Sequence, residues 1–523
     1  MRKGLVLILI IALVLPQLNV FNQQSFAKSL QNANPVYGEI ELGNSTLPLG
    51  IATASDGGVW VAEANEDAVV HISQAGFVER IYSFSSQKHL AFVWSMVEDR
   101  YGALWIADET EPYLIRLNIT SGSISHVSTG GVRPYSLAYD NNSNTLWFTS
   151  FDDSALGYLR ITSTNGTLVD EKKIQGSSGI GAGPSGIALG PDGNIYVSES
   201  LNSSIAEYYS SNINLIHDWI LPSSSQPVGL SFDMVKNLLW FTNHATSFFG
   251  FINLTSNTIT QYSTSLAYSQ GLPIVSLPYW IHQSSNGITW FNEHFGNRIA
   301  AFNLTSRSLV EYIIPENNSS PLQLVVDDVA GKVWFTEFTT GIVGYIDENS
   351  LPSKNIVAPL LVNLSPFNTN FEIDVPGGSS PLLLSGDLNR VGVIGTNMSS
   401  QISSLHNGSV YQVTLSGISM SYGNYTLTAC IPSQILSGSQ QLKVNICKVI
   451  YISYSISPSQ ANSYLIFLVL AVIAIAVFYF LYQRRTRKIH EYGKDDSFIE
   501  SALSLSPVSA NQIYTYYHYK CKR

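Results

Sequence analysis

The sequence predicts an all-β chain: a seven-bladed β-propeller, then a small β-sandwich and one transmembrane helix. Three observations carry this. An apolar-Trp-apolar-small-acidic motif recurs seven times, a proline landmark precedes it at a fixed distance, and one uncharged apolar run lies near the C-terminus.

The motif reads "VWVAE" at Trp60, "LWIAD" at Trp105, "LWFTS" at Trp147, "IYVSE" at Tyr196, "LWFTN" at Trp240, "TWFNE" at Trp290 and "VWFTE" at Trp334, at intervals of 45, 42, 49, 44, 50 and 44 residues. Such a period is that of one propeller blade per repeat. The landmark lies twelve or thirteen residues upstream, at Pro48, Pro134, Pro184, Pro227, Pro278 and Pro321, with Val93 in its place in the second repeat. Turn pairs such as Asp56-Gly57, Asp192-Gly193 and Asn286-Gly287 fall between landmark and motif, so each unit opens with a tight hairpin. Third and fourth strands follow, as in "NRIAAFN" and "SLVEYII". The last repeat lacks its fourth strand, and "VYGEIEL", 36–42, is expected to supply it and close the ring. Closure protects the sheet edges. The propeller is placed at 36–350.

The two ends place the chain in a cell. Residues 1–29 carry Arg2 and Lys3, an apolar run from Gly4 to Leu15 and a small-residue stretch, the layout of a secretory signal peptide. The uncharged run 463–482 is long enough to span a bilayer, and "RRTRK" after it puts the tail 483–523 in the cytoplasm. The expected product is a single-pass cell-membrane protein with its bulk extracellular.

Composition fits that placement. Only 12% of residues are charged and the net charge is −10; no basic patch points to nucleic acid. Thirteen N-x-[ST] sites, at Asn44, Asn118, Asn141, Asn165, Asn202, Asn253, Asn303, Asn317, Asn318, Asn363, Asn397, Asn407 and Asn424, all precede the apolar run, as expected of a glycoprotein exterior. Between 356 and 455 the repeat gives way to short alternating runs, read as a β-sandwich stalk. Within it Cys430 and Cys447 lie on two strand-like runs and are candidates for a disulfide; Cys521, in the tail, is expected as a free thiol.

The stretch "GITWFNEHFGNRIAAFN" sets Glu293 beside His294. The pair reads two ways. Side chains alternate along a strand, so Trp290 and Phe291 pack between blades while the acid ties down backbone amides of the neighbouring loop. Alternatively, His244 holds the same repeat position one blade earlier, and two imidazoles with Glu293 at one mouth are usual ligands for a divalent metal.

The combination of "P-x-G-[IL]-[AS]", a D-G turn and "[LV]-W-F-T-E" resembles the streptogramin lyase (virginiamycin B lyase) family of propellers over about 36–347, and more loosely NHL-type propellers. The resemblance implies magnesium-assisted elimination that opens a cyclic depsipeptide at its ester, using an E-P-H triplet at a landmark proline and the glutamate of "W-F-x-E" in the same blade. Here Glu337 matches one magnesium ligand, with Glu293 a second candidate, but Ser320-Pro321-Leu322 stands in place of the triplet. A proton next to a carbonyl needs a base in reach. His294, His244 and His282 are the candidates to replace it.

The expected mouth also gathers Trp94, Tyr135, Tyr279 and Trp280 with Arg133 and Gln226, a set suited to an extracellular small molecule, glycan or protein, unless the rings pack between blades. The leading expectation is a membrane-anchored propeller that binds such a partner without catalysis. The alternatives are a diverged magnesium-dependent lyase performing C–O elimination and a structural surface-layer component.

Overall fold

The computed structural model describes residues 36–454 except 44–45, 85–91, 177–178, 180, 267–275, 353–355, 357–360, 365–369, 376–382, 388–398, 406–409, 417–422 and 438–439. The signal segment, the apolar run 463–482 and the tail therefore lie outside the described residues. Among the described residues no helix is long and apolar enough to cross a membrane. Two compact units divide the chain, Met1–Val362 with Thr369–Ser453, and Asn363–Asn368 with Tyr454–Arg523; nearly all of the second is undescribed.

The first unit is an all-β propeller. Its sheets are antiparallel, and five of them take four strands in chain order, as in Pro227–Asp233, Leu238–Asn243, Phe248–Asn253 and Thr258–Ser263. A sixth four-stranded sheet departs from that order. Tyr37–Glu41 pairs with Ile342–Asp347, Tyr37 opposite Ile346 and Glu41 opposite Ile342, so the N-terminal strand completes the sheet begun by Pro321–Asp327 and Lys332–Glu337.

Seven blades were expected, and the sheets show six of them as separate four-stranded units. Six four-stranded sheets stand alone; Pro278–Gln283, Ile288–Glu293, Arg298–Asn303 and Ser308–Ile313 instead belong to an eight-stranded sheet. Gln440–Tyr454 pairs with Ser308–Ile313, Leu309 facing Cys447, and Gly423–Ser437 and Leu383–Asp387 continue outward. The expected separate sandwich is thus replaced, in part, by strands that extend a blade. The physical reason is apolar: Cys430, Cys447 and Val449 share a core with Phe249, Tyr262, Phe302 and Leu309. The Tyr451 hydroxyl donates to the Tyr262 hydroxyl at 2.8 Å, and Arg307 lies 3.9 Å from the Tyr451 ring centre. A disulfide joins Cys430 to Cys447. A further three-stranded sheet holds Asn370–Asp374, Val410–Ser416 and Ser399–Leu405.

The second strands are buried on both faces, because each blade is sandwiched by two neighbours. Thr145–Ser150 and Ile288–Glu293 are buried at every position. Trp60 packs with Leu104 and Ile106 of the following blade, Trp105 with Leu146 and Phe148, and Trp240 with Phe291 and Phe302. Trp334 packs on Val59 and Val61, which closes the ring. Each such ring contributes roughly 2–3 kcal/mol by leaving water. Outermost strands face solvent, as the exposure of most of Val78–Ser83 shows.

A bulge at the landmark positions the centre. Register slips between Pro48 and Ile51, Pro184 and Ile187, Pro227 and Leu230, Pro278 and Ile281, and Pro321 and Leu324. The bulge frees the amide two residues beyond the proline from the ladder. The small polar residue of the "W-F-T-E" strand takes it up. Thr242 Oγ1 accepts from Gly229 N at 3.0 Å and donates to Tyr279 O of the next blade at 2.6 Å. Ser198 does the same between Gly186 N and Val228 O, Thr149 between Ser136 N and Ser185 O, and Thr336 between Gln323 N and Leu49 O. Glycine is required where first strands touch: a Cβ on Gly186 would sit 2.0 Å from Val228 O.

Each hydroxyl thus satisfies two buried backbone groups in two blades. Thr242→Val keeps the shape and removes both bonds, so it is expected to lower the unfolding free energy by about 2–4 kcal/mol in urea titration, whereas Thr242→Ser retains most of it. Equal midpoints for all three chains would contradict the relay.

Candidate functional site

Side chains that follow the landmarks in four of the blades, Trp94, Tyr135, Tyr279 and Gln323, meet across the ring. Tyr135 and Tyr279, three blades apart, bring their hydroxyls to 2.5 Å. Trp94 stacks on Tyr135 with centroids 5.4 Å apart and lies 5.8 Å from Tyr279. Its indole donates to Glu109 Oε2 at 2.9 Å, and Gln323 Nε2 reaches from the last blade to Trp94 O. These residues close the axis.

That geometry corrects the expected aromatic mouth. Trp94, Tyr135 and Tyr279 are buried, because each ring finds the others before it finds solvent. Trp280, one residue further, lines a separate funnel on the opposite side of this plug. Arg133 sits at the rim, held by Asp152 at 3.1 Å and Asp153 at 3.2 Å. Gln226 is exposed, with backbone φ of 49°. The six residues therefore do not form one pocket.

The funnel has a volume of about 500 Å³. Trp280, His282, Tyr139, Glu98, Asp99 and Arg100 are among its walls. Most of its charge is committed: Glu98 accepts from the Ser55 amide and the Trp60 indole, and Asp99 from the Trp105 indole at 2.7 Å. His282 Nδ1 accepts from Val326 N at 3.2 Å, and burial lowers its pKa against the opposing pull of Asp328. It is thus remote in role from the landmark face.

The strand-end acids mostly bind side chains of their own blade. Glu199 accepts from Tyr208, Ser204 and Asn202. Asp108 takes the Thr110 amide at 3.0 Å, the only described case among these two of the amide capture expected from sequence. Glu337 accepts from the Tyr37 hydroxyl at 3.2 Å and from Thr340. Burial, and then Glu39, push its carboxyl up to about 7. Glu293 is fully buried, and burial followed by Glu311 drives its carboxyl well above the ordinary value, with Arg298 opposing. Arg298 is itself bound to Glu311 at 2.8 Å.

The histidines do meet. His244 and His294 stand Nε2 to Nε2 at 3.4 Å, both partly exposed, at the end of adjacent second strands on the landmark face. Glu293 does not join them, because strand alternation turns it toward Arg298 and Glu311. Sequence reasoning missed Gln323, Glu109 and the hydroxyl relay. The recurrent Thr or Ser in "W-F-T-E" was the available signal for the last.

A radial, axially plugged propeller with a histidine-bearing landmark face is therefore the class of protein. The virginiamycin B lyase family matches residues 37–344, and the chain belongs to it. Among solved structures it is similar to the virginiamycin B lyase of Staphylococcus aureus in its selenomethionine form, at 22% identity and TM-score 0.51 over 60% of this chain and 98% of that one. A streptogramin B lyase structure gives 22% and 0.51 over 59% and 96%. A catalytically inactive S. aureus lyase with quinupristin gives 23% and 0.50 over 60% and 98%. At these identities the likeness is one of fold. No curated protein matches the chain.

A magnesium ion, which the family implies, does not fit the residues present. Glu337 is wholly buried, bonded to Tyr37 and Thr340, and holds its proton into the neutral range. Ser320 and Leu322 offer no carboxylate or imidazole where the triplet belongs.

Glu337 makes a pH prediction. Its folded pKa of about 7 exceeds the ordinary 4.5, so the folded chain keeps a proton that the unfolded chain sheds. Its stabilising contribution is complete below pH 4.5 and is lost as pH rises through 7. Glu337→Gln is therefore expected to gain stability on the order of 3 kcal/mol over the parent above pH 7 and none at pH 4, measured by urea unfolding. Parallel pH curves for the two chains would rule this out.

Proposed function

We propose that the chain is an exported, membrane-anchored propeller that binds an extracellular ligand or surface partner on its face without catalysing a reaction. We read the four strands from Pro278 to Ile313 as the seventh blade of the ring, extended by the C-terminal strands. One observation carries the non-catalytic reading: the blade that holds Glu337 has Ser320-Pro321-Leu322 at its landmark, and Glu337 itself is committed to Tyr37 and Thr340. A base and a metal-holding carboxylate are both missing from that position. The closed ring of Trp94, Tyr135 and Tyr279 supports the same reading, since the axis offers no cleft there.

The signal-like N-terminus, the apolar run 463–482 and the sequons support export and anchoring. Family membership favours a second reading, a diverged lyase. In it the neutral imidazoles of His244 and His294 take the place of the missing base.

Mass spectrometry of a cyclic streptogramin B depsipeptide incubated with magnesium and the full-length chain in detergent separates the readings. The proposal expects the intact ring at all times. Linear product that disappears in His294→Ala or His244→Ala would establish the second reading instead.

A further inference from the structure

We propose that His244 and His294 together bind a divalent transition metal of the zinc, cobalt or nickel kind through their Nε2 atoms, leaving the other coordination positions open to an exogenous donor. The juxtaposition is the first argument. Two imidazoles that bind one zinc tetrahedrally, at 2.0–2.1 Å each, have their nitrogens about 3.3–3.4 Å apart. The pair shows 3.4 Å, longer than a good hydrogen bond between the rings.

The second argument is that the pair is held in place without a metal. His244 N donates to Gln226 O at 3.1 Å, and His294 N to Leu277 O at 3.3 Å, so both follow directly from their strands. Tyr279 packs edge-on to His244 at 5.1 Å and lies 5.8 Å from His294, which limits rotation of both rings. Tyr279 is in turn tied to Tyr135. A site whose ligands are already positioned loses little ordering entropy on binding.

Protonation agrees with the geometry. Burial lowers His244 to about 4, and burial followed by His244 holds His294 well below its ordinary range. Both rings are neutral at physiological pH. His294 Nδ1 has no hydrogen-bond partner among the described residues, so nothing obliges Nε2 to carry the proton. With both protons on Nδ1 the two Nε2 lone pairs face each other and a cation between them relieves their repulsion; with one proton on Nε2 that ring donates weakly across 3.4 Å, and the proton moves to Nδ1 or solvent on metal uptake.

The donor set selects the metal. Imidazole nitrogen suits zinc, cobalt, nickel and copper, whereas magnesium and calcium require oxygen ligands. Among the described residues no third histidine, cysteine or carboxylate joins the pair. Two protein ligands make a site that is completed by water or by a ligand bearing its own donor. The site differs in position and in chemistry from the family's landmark triplet, and it stands whether or not a depsipeptide is turned over.

The test uses untagged full-length chain in detergent, stripped with EDTA. Cobalt is added and followed by visible d–d absorption, and zinc retained after desalting is measured by elemental mass spectrometry. The expected result is about one metal per chain, lost in His244→Ala and in His294→Ala and retained in His282→Ala, with no competition from excess magnesium. Circular dichroism checks each fold. If an alanine variant is misfolded, His244→Gln or His294→Gln takes its place. Failure of the parent chain to take up metal, or uptake unchanged in both variants, would overturn the assignment.

Discussion

The hydroxyl relay between blades is the interaction on which the rest depends. A propeller brings first strands together at its axis, where the chain is crowded and every backbone group must find a partner. The bulge after each landmark releases an amide, and the neighbouring blade presents an unpaired carbonyl. Thr149, Ser198, Thr242 and Thr336 each satisfy both in their blades, and in the blade of Trp290 the larger Asn292 does so through its amide, accepting from Trp280 N at 2.7 Å and donating to Pro321 O; the first two blades carry Ala62 and Ala107 at this position and have no such side chain. The relay from Thr336 to Leu49 O joins the blade of Trp334 to the blade of Trp60. Pairing of Tyr37–Glu41 with Ile342–Asp347 closes that same blade at its outer edge.

This arrangement decides what the centre can hold. With first strands drawn tight, the residue after each landmark must fit against its counterparts across the axis. Trp94, Tyr135 and Tyr279 pack against one another there. The family fold is kept while Ser320 and Leu322 stand at the position of the triplet. Activity in this fold comes from a few side chains set at the landmark and strand ends, and those can change without disturbing the relay. The histidines survive this because they lie beyond the strand ends, at the border of the plug.

Most of the architecture was legible because the repeat is strong. The tryptophan spacing, the landmark prolines and the orphan "VYGEIEL" strand gave the blades and their closure. The extension of a blade by C-terminal strands was not legible: alternation along "QLKVNICKV" shows that a strand has an apolar face but not what covers it, and Phe302 and Leu309 lie over a hundred residues away. The burial of Trp94, Tyr135 and Tyr279 was not legible for a similar reason. Composition at the landmark reveals that a ring is present, and only the axis geometry reveals that three rings fill one another's space. The sequons also have a structural side. Asn118, Asn253 and Asn303 each accept two backbone amides within their own hairpin turn, from Thr120 and Ser121, Thr255 and Ser256, and Thr305 and Ser306. The N-x-T-S repeat is thus turn chemistry before it is anything else.

The proposed non-catalytic reading turns on Ser320 standing where the family triplet has its glutamate and on Glu337 being committed to Tyr37 and Thr340. Calorimetric titration of magnesium into the full-length chain, in the presence of saturating streptogramin B depsipeptide, tests it most directly. The account predicts no saturable heat. Saturable magnesium binding that is abolished by Glu337→Ala would contradict it and return Glu337 to the role of a metal ligand.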